Sequence, residues 1–161
     1  SDWHTDWNMM QVPHATDDTG RSRGTATTWT IHFTLAHAEH GTATLRLSFA
    51  GTESRTLNVT VNGTDAGTVS GLPNTSVIHR DADRSYWEER RVPFDASLLK
   101  QGENSVALTV PAGGVMSGVE YDYLRLAVDE GRPYSDTDRL PPPPPEPERR
   151  PRPARAAARE E

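Results

Sequence analysis

The chain reads as an all-β protein, an antiparallel β-sandwich or jelly roll followed by a disordered tail rich in proline and arginine. Three observations predict this. Apolar residues recur with a period of two in several short runs, turn signals separate those runs, and no stretch holds a long 3.6-residue period.

Residues 1–24 are polar, with Trp3, Trp7, Met9 and Met10 as anchors and a turn at Asp17-Asp18-Thr19-Gly20. They are expected to wrap the sandwich as an entry segment. The domain proper is expected over 25–130. Trp29, Ile31, Phe33 and Leu35 alternate with Thr28, Thr30, His32 and Thr34. Leu45, Leu47 and Phe49 alternate with Thr44, Arg46 and Ser48, and Leu57, Val59 and Val61 with Asn58 and Thr60. Val106, Leu108 and Val110 alternate with Ala107 and Thr109. Each pattern is that of a half-buried strand. Asn62-Gly63 follows the third run and signals a hairpin. Pro93 to Gly102 reads as one helical turn, capped by Asp95 and stopped by Gly102.

Glu120-Tyr121-Asp122-Tyr123-Leu124-Arg125-Leu126 reads as the closing strand. Strict alternation would put Glu120, Asp122, Leu124, Leu126 and Val128 on one face, and Val119, Tyr121, Tyr123, Arg125 and Ala127 on the other. The first face would then change from acidic at a rim to apolar in the core. From 131 to 161 the chain reads as disordered. Nine of its thirteen prolines fall in 132–161, beside an Arg/Glu/Ala mixture with little apolar surface to bury.

Charge narrows the function classes. The net charge is −6, and residues 1–129 carry 10 Lys+Arg against 16 Asp+Glu, so all of it lies there. An acidic domain with Lys100 as its one lysine is a poor partner for nucleic acid. No apolar run approaches the roughly 18 residues of a membrane span, so no membrane partner is expected. The chain has no cysteine, which excludes disulfides and thiolate metal sites. It opens at Ser1 with neither an initiator Met nor a signal peptide, which suggests a piece of something longer.

Catalytic signals are weak. His4, His14, His32, His37, His40 and His79 show no recognised metal spacing. Asp81/Asp83 and Glu88/Glu89 read as solvated charge rather than a glycosidase pair. There is no nucleophile elbow and no glycine-rich phosphate loop. Binding signals are better. A sugar site needs an aromatic face for the C–H face of the ring and planar polar groups for its hydroxyls. The segment from Asn74 to Trp87 holds both, with Asn74, His79, Arg80, Arg84, Tyr86 and Trp87 as candidate contacts. Arg80 and Arg84 would pair with carboxylates if the ligand is acidic. In a strand, adjacent Tyr86 and Trp87 face opposite ways, so one of them could instead be a core anchor. Glu120 and Asp122 are candidate ligands of a structural calcium ion, with pairing to an arginine as the alternative. No other cofactor is expected. Three N-glycosylation sequons begin at Asn58, Asn62 and Asn74.

Six segments, in order, resemble the C-terminal domain of rhamnogalacturonan lyases, polysaccharide lyase family 4. They are Thr28-Trp29-Thr30-Ile31-His32-Phe33, Ala43-Thr44-Leu45-Arg46-Leu47, Leu57-Asn58-Val59-Thr60-Val61-Asn62-Gly63, Ser76-Val77-Ile78-His79-Arg80-Asp81, Leu98-Leu99-Lys100-Gln101-Gly102-Glu103-Asn104 and Val119 to Leu126. The likeness covers about residues 25–128, with the last segment the most specific. It implies a galactose-binding-like jelly roll that is not itself catalytic, from a secreted enzyme cutting the rhamnose–galacturonate backbone of pectin by β-elimination. The groups for that step would belong to another domain. Two roles then compete: binding or orienting the polysaccharide, or packing on the parent enzyme's catalytic domain without touching sugar.

Overall fold

The computed structural model describes residues 10–17, 23–75 and 87–128. Ten strands lie within these: β1 Met10–Gln11, β2 Arg23–Gly24, β3 Thr27–Leu35, β4 Thr42–Thr52, β5 Thr56–Val61, β6 Thr64–Ser70, β7 Glu88–Asp95, β8 Gly102–Val110, β9 Gly113–Gly114 and β10 Val119–Val128. They form two four-stranded sheets, β1-β10-β4-β7 and β3-β8-β5-β6, and the two-stranded ribbon β2-β9. Every pairing is antiparallel. The sandwich expected from the period-two runs is therefore present.

The core lies between the two large sheets. One contributes Leu45, Leu47, Phe49, Val92, Phe94, Val119 and Tyr121, and the other Leu57, Val59, Val61, Val69, Val106, Leu108 and Val110. The apolar members of β4, β5 and β8 are buried as their alternation predicts. Those of β3, an edge strand, are half-buried and pack at the margin of the core.

The Asn62-Gly63 hairpin forms as expected, with φ +50 at Asn62 and +81 at Gly63. Both left-handed residues match the twist of the flanking strands. The Asn62 side chain is also fully engaged. Its Nδ2 donates to the Leu98 carbonyl at 2.7 Å and to Asn104 Oδ1 at 2.8 Å, and its Oδ1 accepts from the Ser105 amide at 2.9 Å.

Two expectations require correction. The helical turn is a short 3-10 turn, Ala96–Leu98, and does not reach Gly102. Asp95 does cap it, accepting from the Ser97 amide at 2.8 Å. Pro93 and Phe94 belong instead to β7, an edge strand, where a proline costs no ladder bond on the open side. The second correction concerns β10. Val119 and Tyr121 are buried before Asp122, whereas Leu124, Leu126 and Val128 pack against the core after it. The register skips Asp122 on β10 and Ala50 on β4. The bulge at Asp122 exchanges the faces of the strand, so simple alternation fails there.

β6 and β7 carry little period-two signal. β6 buries Val69 alone, and β7 turns inward with Val92 and Phe94 only near its end.

Gln11, which is 1% exposed, fixes the described part of the entry segment at β1. Its Nε2 donates to the carbonyls of Thr27 (2.8 Å) and Leu108 (2.9 Å) in the opposite sheet, and its Oε1 accepts from the Tyr121 hydroxyl at 2.7 Å. Burial pushes the Tyr121 phenol far above its ordinary pKa, so it remains a protonated donor. Tyr121→Phe leaves a buried acceptor unpaired and is expected to cost about 1–3 kcal/mol, read as a lower urea midpoint. Gly118 abuts this segment. A Cβ there would press on the Gln11 carbonyl and lie 2.7 Å from Val12 Cγ1. Gly118→Ala is expected to destabilise by about 1–3 kcal/mol in the same unfolding experiment.

Candidate functional site

The site begins with the residues that leave β6 and enter β7. Thr75, wholly buried, donates its amide to the Thr52 carbonyl at 2.8 Å, and its hydroxyl oxygen accepts from the Thr52 amide at 2.9 Å. Leu72 is buried too, and its amide donates to the Arg55 carbonyl at 3.3 Å. Asn74, between them, is exposed. At the other end stands Trp87, 57% exposed, which settles that this aromatic is no core anchor. Its indole Nε1–H donates to Asp122 Oδ2 at 3.0 Å, and the Ser48 hydroxyl donates to the same oxygen at 3.1 Å. The bulge that exchanges the faces of β10 also presents the Asp122 carboxylate for these bonds. Thr75, next to Asn74, is thus fixed to Thr52, and Trp87 to Asp122, both on the β4/β10 pair.

Register carries the site across the outer face of this sheet. Ser48 lies between Tyr123 and Glu89, and Arg46 lies between Arg125 and Arg91. The inward neighbours Leu45, Leu47, Phe49 and Val92 are buried, so these residues point away from the core. Tyr123, 38% exposed, donates its hydroxyl to Glu89 Oε2 at 2.6 Å. Arg91 Nε donates to Glu89 Oε1 at 3.2 Å. The Tyr123 hydrogen bond, followed by Arg91 and the more distant charge of Arg46, holds the Glu89 carboxyl below its ordinary value, against a smaller opposing effect of burial. The same bond pushes the Tyr123 phenol up.

Of the residues singled out in the sequence, the structure joins Trp87 to Asp122, sets Asn74 next to the Thr75 that bonds Thr52, and places Glu120 beside Gly51 on the same strand pair. His79, Arg80, Arg84 and Tyr86 lie outside the described residues. The partners of Asp122 are Trp87 and Ser48 rather than the arginine expected as the alternative to calcium. Among the described residues no group of three or more His, Asp or Glu gathers to hold a metal ion. Arg46, Arg91, Arg125, Tyr123 and Glu89 were not singled out as site residues. The Arg90-Arg91 doublet and the polar positions of the alternating runs are visible in sequence, but only register aligns them.

The depressed Glu89 pKa gives a pH prediction. A carboxyl lowered in the folded state adds stability at pH above its ordinary value of 4.5, and that contribution is lost as pH falls through the folded pKa. Tyr123→Phe is expected to raise the Glu89 titration midpoint toward the ordinary value, as followed by carboxyl carbon NMR shifts.

No curated protein matches the chain. Among solved structures it is similar to a family 35 carbohydrate-binding module from an environmental isolate, at 17% identity over 78% of this chain and 90% of that one, with TM-score 0.44. It is also similar to CBM35 from Paenibacillus barcinonensis, at 18% identity over 75% and 90% with TM-score 0.42. A family 35 module from Clostridium thermocellum matches at 18% identity over 73% and 85%, with TM-score 0.42. The family model described as CBM-like, polysaccharide lyase family 4, domain III, matches residues 1–126, and the chain belongs to that family.

Proposed function

We propose that this domain is a non-catalytic carbohydrate-binding module of a secreted rhamnogalacturonan lyase, holding or orienting the pectic polysaccharide for a catalytic domain elsewhere in the parent enzyme. The observation that carries the reading is Trp87: a large ring left 57% exposed, yet fixed through its indole N–H to Asp122 at 3.0 Å. A fixed exposed ring offers a flat apolar face to a sugar with little ordering cost on binding. Asn74 stands exposed at the other end of the same segment. His79, Arg80, Arg84 and Tyr86 complete the proposed contacts, with the two arginines as carboxylate partners.

Membership of a carbohydrate-binding-like lyase domain supports the substrate class. The Asp122 carboxylate that holds Trp87 is itself exposed, which favours sugar over docking of a broad apolar patch.

Calorimetric titration of this chain with rhamnogalacturonan oligosaccharides tests the proposal. Saturable binding is expected, with Trp87→Ala weakening it by about 1–3 kcal/mol, roughly the range for loss of one aromatic stacking partner. Absence of heat at millimolar ligand would place any binding below about 4 kcal/mol and reject the reading in favour of packing on the catalytic domain.

A further inference from the structure

Two aromatic side chains cross β4 on the outer face of the β1-β10-β4-β7 sheet, in opposite directions. Trp87 leads into β7, yet its indole bonds to Asp122 on β10, and β4 is the strand between them. Tyr123 reaches the other way, from β10 to Glu89 on β7. Neighbouring strands are about 4.8 Å apart, so each ring with its carboxylate bridges about 10 Å between backbones. Ser48 lies between Tyr123 and Glu89 in register and shares the Asp122 oxygen with Trp87. It is wholly buried although it faces outward, and its small side chain leaves room for rings laid across it. Both rings nonetheless remain exposed. Trp87 stands two residues before Glu89, so the rings are rooted one row apart, about 7 Å along the strands. Each is tied at its polar end to a carboxylate, and what is left for solvent is the ring itself.

We infer that Trp87 and Tyr123 form a two-ring platform, and that its occupant is a single oligosaccharide chain laid along β4 with one sugar stacked on each ring. The carboxylates select a glycan over an apolar partner. A protein surface that buried both rings under apolar side chains would strip water from Asp122 and Glu89 without replacing it, which is costly for a charged group. Sugar hydroxyls replace that water by donating to the carboxylates, while the C–H faces of the sugar rings cover the aromatics. Among the described residues, both hydrogen bonds to Asp122 use Oδ2, which leaves Oδ1 as an acceptor beside the indole. The tied rings also lose little freedom on binding. The inference rests on the carbohydrate-binding reading of Trp87 and extends it onto β10, where Tyr123 becomes a second stacking residue.

Titration of the intact chain, Trp87→Ala, Tyr123→Ala and Tyr123→Phe with one rhamnogalacturonan oligosaccharide tests the platform. Tyr123→Ala is expected to weaken binding by about tenfold, the scale of one lost aromatic stacking partner. Tyr123→Phe restores the ring without the bond to Glu89 and is expected to recover most of that loss. A role through Glu89 alone would make the two Tyr123 variants equally weak, and that result would overturn the inference. So would a folded Tyr123→Ala chain that binds as tightly as the intact one; a loss confined to Trp87→Ala then leaves the carbohydrate-binding reading standing. Should Tyr123→Ala fold poorly, the complex of the intact chain carries the test. Nuclear Overhauser effects are expected there between the Tyr123 ring protons and sugar C–H protons, and their absence at saturation would overturn the inference. Failure of the intact chain to bind the oligosaccharide would overturn both readings.

Discussion

The two large sheets are linked across the core by one buried amide. Gln11 sits on β1 in one sheet, donates to two carbonyls in the other, and accepts from Tyr121 on the neighbouring strand. A buried side-chain amide left unpaired would be costly, and here both ends are satisfied. The Tyr121 ring in turn lies 5.9 Å from Trp29 and 5.7 Å from Phe49, so the polar link is embedded among aromatic contacts from both sheets. The close approach of Gly118 to Gln11 and Val12 follows from the same constraint. With Gln11 and Tyr121 fixed, the inner face of β10 is fixed up to residue 121.

Beyond that point the strand must still cover the core, but with the opposite parity of residues. The compensating skips at Ala50 and Asp122 solve this. Val119 and Tyr121 pack inward on one side of the bulge, and Leu124, Leu126 and Val128 on the other. The bulge also brings Asp122 and Tyr123 together on the solvent side, where one holds Trp87 and the other reaches Glu89. A packing requirement inside the sandwich thus sets the position of the aromatic and charged groups outside it. Such local departures from regular pairing commonly re-aim side chains beside functional sites.

The resulting outer face combines rigid support with mixed chemistry. Ser48, wholly buried, supports the Asp122 carboxylate from β4, and the Thr52–Thr75 pair fixes the exit from β6. On this support sit the exposed rings of Trp87 and Tyr123 and the guanidinium groups of Arg91 and Arg125. The sequon at Asn62 illustrates the contrary use of a polar side chain. Its amide is committed to Leu98, Asn104 and Ser105, so it serves the hairpin rather than the surface.

Much of this was legible in the residues. The alternation over β3, β4, β5 and β8, the Asn62-Gly63 hairpin and the Asp95 cap depend on local geometry, and local geometry is written in consecutive side chains. The segment ending in Trp87 was visible because aromatic and polar residues cluster along the chain. β6 and β7 were not visible, because a few inward apolar residues among charges and glycine leave no period to read. The bulge at Asp122 was likewise hidden, since an extra residue is defined only against the partner strand. The arginine row is the clearest case. Arg46, Arg91 and Arg125 are far apart in sequence, and only the antiparallel register of three strands sets them side by side. The sequence by itself determined which residues could form strands, turns and caps, because those choices depend on near neighbours. Tertiary structure alone decided which strands pair, at what offset, and therefore which charges and rings share a face, because pairing joins residues that the chain keeps apart.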